Sequence, residues 1–138
     1  MAAVLAFRPV HVLEITFNDF NLLVPLSGTS TLSVEYTHSV SLTKVVDVYR
    51  INESGIYAYE EKWQEFLAGQ PLNGSPEGEF FVKRLDKSLG KEWMYWFIEV
   101  NHFRLVLDGR PVFEQPAEDG LLVIRVKEVS AFKAHAGW

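Results

Sequence analysis

Short apolar segments separated by turn residues dominate this chain and limit the folds it can adopt. Apolar and polar residues alternate from Leu32 to His38, and Val45–Ile51 is rich in β-branched residues. Such runs are typical of strands, and the Asp108-Gly109 pair between two of them favours a type I′ hairpin turn. No segment has a convincing helical period. The sequence therefore predicts a single all-β domain over residues 1–138, an antiparallel β-sandwich or small barrel of about nine strands.

The ends of the chain are expected to lie outside this domain core. Seven apolar residues precede Arg8-Pro9, too few to span a bilayer, which takes about 20. Residues 1–10 are interpreted either as the remnant of a removed membrane anchor or as an irregular N-terminus. Residues 130–138 are expected to form a tail.

Composition excludes several kinds of chemistry. The chain has no cysteine, so thiol nucleophiles, disulfides and thiolate metal sites are excluded. The net charge of −5 argues against a nucleic-acid partner, which requires a basic surface. The four histidines lack the spacing of metal ligands. We therefore expect no metal, no cofactor and no nucleic acid.

The residues with most chemical potential lie in one strand, turn and strand. His38 shares a predicted strand face with Tyr36, and Asp47 follows on the next strand. A four-residue turn would place His38 opposite Asp47, and a two-residue turn would place Tyr36 opposite Asp47. In both registers a carboxylate could orient the imidazole. Three interpretations stay open: a structural pair, a ligand-binding site, or an enzyme that uses His38 and Asp47.

A loop rich in glycine and proline is predicted from Leu67 to Gly78. In an antiparallel meander its start should lie beside the Ser39–Lys44 turn, with the Cα atoms of Gly69 and Thr43 within about 15 Å. This places backbone groups of the loop next to the turn. The predicted ligand-binding residues are therefore Tyr36, His38, Ser39, Thr43, Asp47, Ala68 and Gly69.

The segment from Trp93 to Ile98 is apolar on both predicted faces. This favours a central strand that packs on both sides. The alternative is an exposed aromatic surface for a sugar, a lipid or a partner protein.

Two motifs resemble the domain-of-unknown-function family 1850. The first is Tyr36-Thr37-His38-Ser39-Val40 with Thr43, Val45, Asp47 and Tyr49, and the second is Phe66-Leu67-Ala68-Gly69-Gln70-Pro71. Asp47 stands where the family usually has Glu, and Leu67 stands where it has Gly. The resemblance implies a small exported or membrane-anchored protein, often encoded near transporters of the TAXI type, with no known reaction.

These observations favour a non-enzymatic, extracytoplasmic binding or accessory module. Its expected partner is a transporter component or a small solute, and an anchor would place it near a membrane. The first alternative is an enzyme that uses His38 and Asp47. The second is a structural domain that self-associates by pairing of edge strands.

Overall fold

A computed structural model of the chain describes residues 9–64, 75–77 and 80–130. Within these ranges lie eleven strands. They are β1 Pro9–Phe17, β2 Phe20–Pro25, β3 Ser30–Thr37, β4 Lys44–Asn52, β5 Gly55–Trp63, β6 Ser75–Glu77, β7 Phe80–Ser88, β8 Glu92–Phe97, β9 Arg104–Leu107, β10 Arg110–Glu114 and β11 Gly120–Ser130. A 3-10 turn, Glu99–Asn101, joins β8 to β9. Strand β6 falls where the sequence predicted only a loop.

The strands form two antiparallel sheets. One has four strands in the order β2-β1-β11-β8, and the other has seven in the order β10-β9-β3-β4-β5-β7-β6. The prediction of an all-β fold is confirmed, and its β-sandwich alternative is the one that the two sheets support. No helix in the described part of the chain has the length and apolar character needed to cross a membrane.

Apolar side chains from the facing sides of the two sheets form the core. Alternate residues of β1 and β3 point inward because side chains on a strand alternate between faces. Leu13, Ile15 and Phe17 of β1 pack with Leu32 and Val34 of β3 in one buried cluster. Rings add to it: the centroids of Phe17 and Phe103 lie 5.0 Å apart, edge to face.

Turn residues connect the strands as their side-chain chemistry allows. Asp108 and Gly109 have φ values of 48° and 81°, the left-handed angles of the type I′ turn that this pair favours. Asn18 takes a φ of 51° in the β1–β2 turn, which its short amide side chain tolerates.

A buried amide fixes the connection between β10 and β11. The Gln115 side chain is 3% exposed. It accepts a hydrogen bond from the Phe103 N–H at 2.9 Å and donates to the carbonyl oxygens of Ile98 and Glu118 at 3.1 and 3.0 Å. Since backbone groups buried without partners are costly, this one side chain holds three segments of loop in place.

Strand β8 contradicts the prediction that Trp93–Ile98 is central. It forms an edge of the four-stranded sheet. On its inner face Phe97 is fully buried and Tyr95 is 40% exposed, and on its outer face Met94 and Trp96 are 49% and 58% exposed. Leu121 of the neighbouring strand β11 lies opposite Trp96 and is 39% exposed. We call Met94, Trp96 and Leu121 the Trp96 patch.

Candidate functional site

The turn between β3 and β4 is longer than either predicted register requires. Thr37 and Lys44 form the last pair of the two strands, so the turn runs from His38 to Thr43. The His38 N–H donates to the Thr43 carbonyl at 2.8 Å, and the Leu42 N–H donates to the His38 carbonyl at 2.8 Å. Both predicted registers are therefore wrong: Asp47 lies opposite Val34, and Tyr36 lies opposite Val45.

The His38 imidazole stabilises its own turn. Its Nδ1 accepts hydrogen bonds from the N–H groups of Val40 and Ser41 at 3.2 and 3.3 Å. The hydroxyls of Ser41 and Thr43 are 2.6 Å apart, while Ser39 is exposed. Among the residues that the structure describes, no hydrogen bond or ion pair joins His38 to Asp47. The pair on which the enzyme alternative depends is not formed.

Asp47 instead meets a second carboxyl group. Glu61 of β5 lies directly opposite it, and the Asp47 side chain is hydrogen-bonded to Glu61 and to the Tyr36 hydroxyl. Burial, followed by the charge and hydrogen bond of Glu61, raises the pKa of Asp47 to about 8, against a smaller lowering by the Tyr36 hydroxyl. The raised pKa favours a protonated Asp47 at neutral pH, hydrogen-bonded to Glu61.

Aromatic rings surround this carboxyl pair. Tyr36 packs on Tyr95 of β8 with centroids 6.0 Å apart, and Tyr49 packs on Trp93 at 4.9 Å. Burial, followed by the Asp47 charge, raises the pKa of both Tyr36 and Tyr49, so their hydroxyls stay neutral. The arrangement is a hydrogen-bonded polar network between the sheets, of the kind that buried polar groups require.

A groove of about 290 Å³ opens at the end of β3, on the flank of the first motif. We call it the motif groove. Its lining residues are mostly polar or charged: Glu35, Tyr36, Thr37, Lys44, His102, Arg104 and Glu114. It joins residues that are distant in sequence, and the motif supplies only Tyr36 and Thr37.

Two contacts hold the groove together. The Asn101 amide donates to the Thr37 carbonyl at 2.9 Å, which ties the 3-10 turn to β3. His102 follows with a φ of 44°, and its Nε2 lies 2.9 Å from the Glu114 carboxylate. Sequence reasoning missed His102, Lys44 and Glu114 as site residues, because only the strand pairing brings them together.

The histidines of the described ranges do not belong to a cluster of metal ligands. His38 and His102 each follow a partner of the Asn101–Thr37 hydrogen bond, so the fold brings their segments together. Even so, the described residues contain no group of three or more potential metal ligands among His, Cys, Asp and Glu.

The remaining predicted site residues, Ala68 and Gly69, lie outside the described residues, and so does the Gly69–Thr43 distance. The strand that leads to them follows the predicted path. Val45 pairs with Trp63, and the Lys44 N–H donates to the Gln64 side-chain oxygen at 2.7 Å. The end of β5 therefore lies beside the start of β4, as the meander requires.

Comparison with known proteins relates the chain to a family but not to individual proteins. Neither the curated proteins nor the solved structures yield a significant match. A family model described as a domain of unknown function, DUF1850, matches residues 32–113, which are 82 of the 138 residues. The match covers the first motif, the carboxyl pair and almost all of the motif groove, and the chain belongs to the DUF1850 family.

Proposed function

We propose that the protein is a non-enzymatic, extracytoplasmic binding module that serves a TAXI-type solute transporter, and that the motif groove binds a small polar solute. One observation carries the proposal. The groove places residues of the family motif and the Glu35 carboxylate of the same strand beside a histidine, two cationic side chains and a second carboxylate from three other strands and the loop before β9. Such convergence of polar groups in a concave surface is typical of a ligand site.

The size and charge of the groove limit its ligand. A volume of about 290 Å³ lies at the lower end of small-molecule sites, roughly 300–1,000 Å³. Lys44 supplies a cation, and Arg104 lies 4.0 Å from the Glu35 carboxylate. Because charges of both signs line the groove, a small solute with both hydrogen-bond donors and acceptors suits it better than an apolar one.

A thermal-shift screen against small polar solutes tests this proposal. His102→Gln removes the ring that contacts Glu114 and should abolish the shift given by a true ligand, since a ligand specific for the folded state raises its melting temperature. His11→Gln is the matched control, because His11 lies on β1 and contacts Glu53 and Glu128 instead. A ligand that stabilises all three proteins equally would place binding elsewhere.

The transporter association needs a test in cells. Deleting the domain should lower solute uptake by the transporter, and the His102→Gln variant should restore less uptake than His11→Gln does. Equal restoration by both variants would show that the motif groove has no part in transport.

A second candidate function, self-association, is favoured by the Trp96 patch. The patch lies beside an edge of the four-stranded sheet, and edge strands with exposed apolar residues pair readily with other chains. If the patch drives dimerisation, Trp96→Ser should shift the mass measured by light scattering from dimer to monomer. Leu42→Ser is the control, because Leu42 is 65% exposed in the β3–β4 turn. A monomeric wild type would exclude this function.

A further inference from the structure

A second groove, of about 590 Å³, crosses the outer face of the seven-stranded sheet. Residues of β4, β5 and β7 line it, among them Arg50, Asn52, Tyr57, Tyr59, Arg84 and Asp86. We call it the Arg50 groove. It shares no lining residue with the motif groove, so it goes beyond the function proposed above.

The Arg50 side chain is held in a fixed orientation. Its guanidinium carbon lies 3.7 Å from the centroid of the Tyr59 ring, a stacked cation–π contact. Arg84, Arg104 and Arg125 each contact a carboxylate, whereas Arg50 has no ion pair within the described ranges. The guanidinium group of Arg50 is therefore held in one orientation, while its N–H donors contact no carboxylate of the described ranges.

The local backbone explains this arrangement. Arg50 and Tyr57 are opposite each other in the β4–β5 pairing, and the register shifts by one residue just beyond them. Tyr59 is the extra residue of this β-bulge, and bulges reorient side chains. The shift leaves the Tyr59 ring under Arg50 on the outer face.

The other groove residues restrict the charge of a ligand. Arg84 is 3.1 Å from the Glu60 carboxylate, which compensates its charge. Asp86 adds a negative charge near the rim. Because Arg84 is paired with Glu60, Arg50 is the lining cation that contacts no carboxylate within the described ranges, and the groove suits a ligand with one negative charge better than a phosphate dianion. Tyr57, Ala58 and Leu85 supply apolar wall.

We infer that the Arg50 groove binds a small organic monocarboxylate. The carboxylate accepts paired hydrogen bonds from the Arg50 guanidinium, a geometry that arginine favours. The organic body of the ligand packs on the tyrosine rings and Leu85.

Titration calorimetry with benzoate as the probe tests the inference. Wild type should bind it saturably, and Arg50→Gln should weaken binding by about tenfold or more, because a charge-assisted pair of hydrogen bonds is lost. Arg50→Lys keeps the charge but loses the planar fork and should give an intermediate loss. Arg110→Gln, the same change on edge strand β10, should bind as wild type does.

Three outcomes would overturn the inference. These are no saturable binding of benzoate by wild type, equal binding by wild type and Arg50→Gln, or tighter binding of inorganic phosphate than of benzoate. Because His102 lies outside this groove, the His102→Gln variant should bind benzoate normally. The two sites can therefore fail independently. A urea unfolding curve for each variant verifies that it is folded.

Discussion

The Asp47–Glu61 pair should make stability depend on pH in an unusual direction. Asp47 has a pKa of about 8 in the folded protein against 3.8 ordinarily. Between these two values the folded state holds a proton that the unfolded state has released. Stability therefore falls as pH rises through this window. This is the reverse of an acidic side chain in a salt bridge, whose contribution grows with pH.

The magnitude follows from the shift. Each pH unit within the window costs about 1.4 kcal/mol. The full window from 3.8 to about 8 corresponds to at most about 6 kcal/mol. That is comparable with the total stability of a small domain, about 5–15 kcal/mol.

Asp47→Asn isolates this contribution. The amide can still donate to the Glu61 carboxylate and accept from the Tyr36 hydroxyl, but it has no proton to lose. We expect the free energy of unfolding of the variant, relative to that of wild type, to rise by about 3 kcal/mol between pH 5 and pH 7. Above pH 8 the difference should level off.

Urea denaturation followed by tryptophan fluorescence at each pH provides the measurement. Asp19→Asn is the control, since Asp19 is exposed in the β1–β2 turn, and its curve should run parallel to that of wild type. A constant difference between Asp47→Asn and wild type across pH 5 to 8 would refute the reasoning, because it would show that Asp47 is ionised in the folded state.

Three further predictions concern stability, each measured by urea denaturation. Phe97→Ala should cost about 3–5 kcal/mol, whereas Trp96→Ala should cost less than about 1 kcal/mol, because these neighbours are 0% and 58% exposed; equal costs would show that the outer face of β8 is covered. Gly55→Ala should cost about 1–3 kcal/mol more than Gly28→Ala, because a Cβ at Gly55 would lie 2.6 Å from a backbone oxygen while Gly28 has open space. Gln115→Leu should cost about 1–3 kcal/mol, since the buried Phe103 N–H loses its side-chain acceptor; a neutral result would mean that water replaces the amide.

The strands could be predicted from sequence because their signals are local. Alternation and β-branched residues identify β3 and β4 to within two residues, and the Asp108-Gly109 pair identifies the turn between β9 and β10. These signals come from residues that are neighbours in sequence, because their backbone angles and the alternation of their side chains determine whether a strand or a turn forms. The family resemblance was also visible from sequence, since it rests on contiguous residues.

The position of a strand within a sheet could not be read in the same way. Trp93–Ile98 is apolar on both faces, which usually marks a central strand. Strand β8 pairs with β11 on one side only and therefore lies at an edge. Which strands pair with β8 depends on segments far apart in sequence. The register at His38 failed for a related reason: the imidazole accepts hydrogen bonds from its own turn and so stabilises six loop residues where two or four were expected.

A single β-bulge explains why both the carboxyl pair and the Arg50 groove escape sequence reasoning. The turn between β4 and β5 pairs Asn52 with Gly55, and an unbroken ladder from there would place Glu60 opposite Asp47. The extra residue, Tyr59, shifts the register so that Glu61 takes this place. It also reverses which side chains face inward beyond it, so that Trp63 at the end of β5 is completely buried. The same inserted residue thus brings a second carboxyl group to the inner face and sets the Tyr59 ring under Arg50 on the outer one.

Because one backbone irregularity determines both features, a deletion of Tyr59 should remove the pH dependence assigned to Asp47 and the benzoate binding assigned to Arg50 together, whereas Tyr59→Ala should weaken only the benzoate binding.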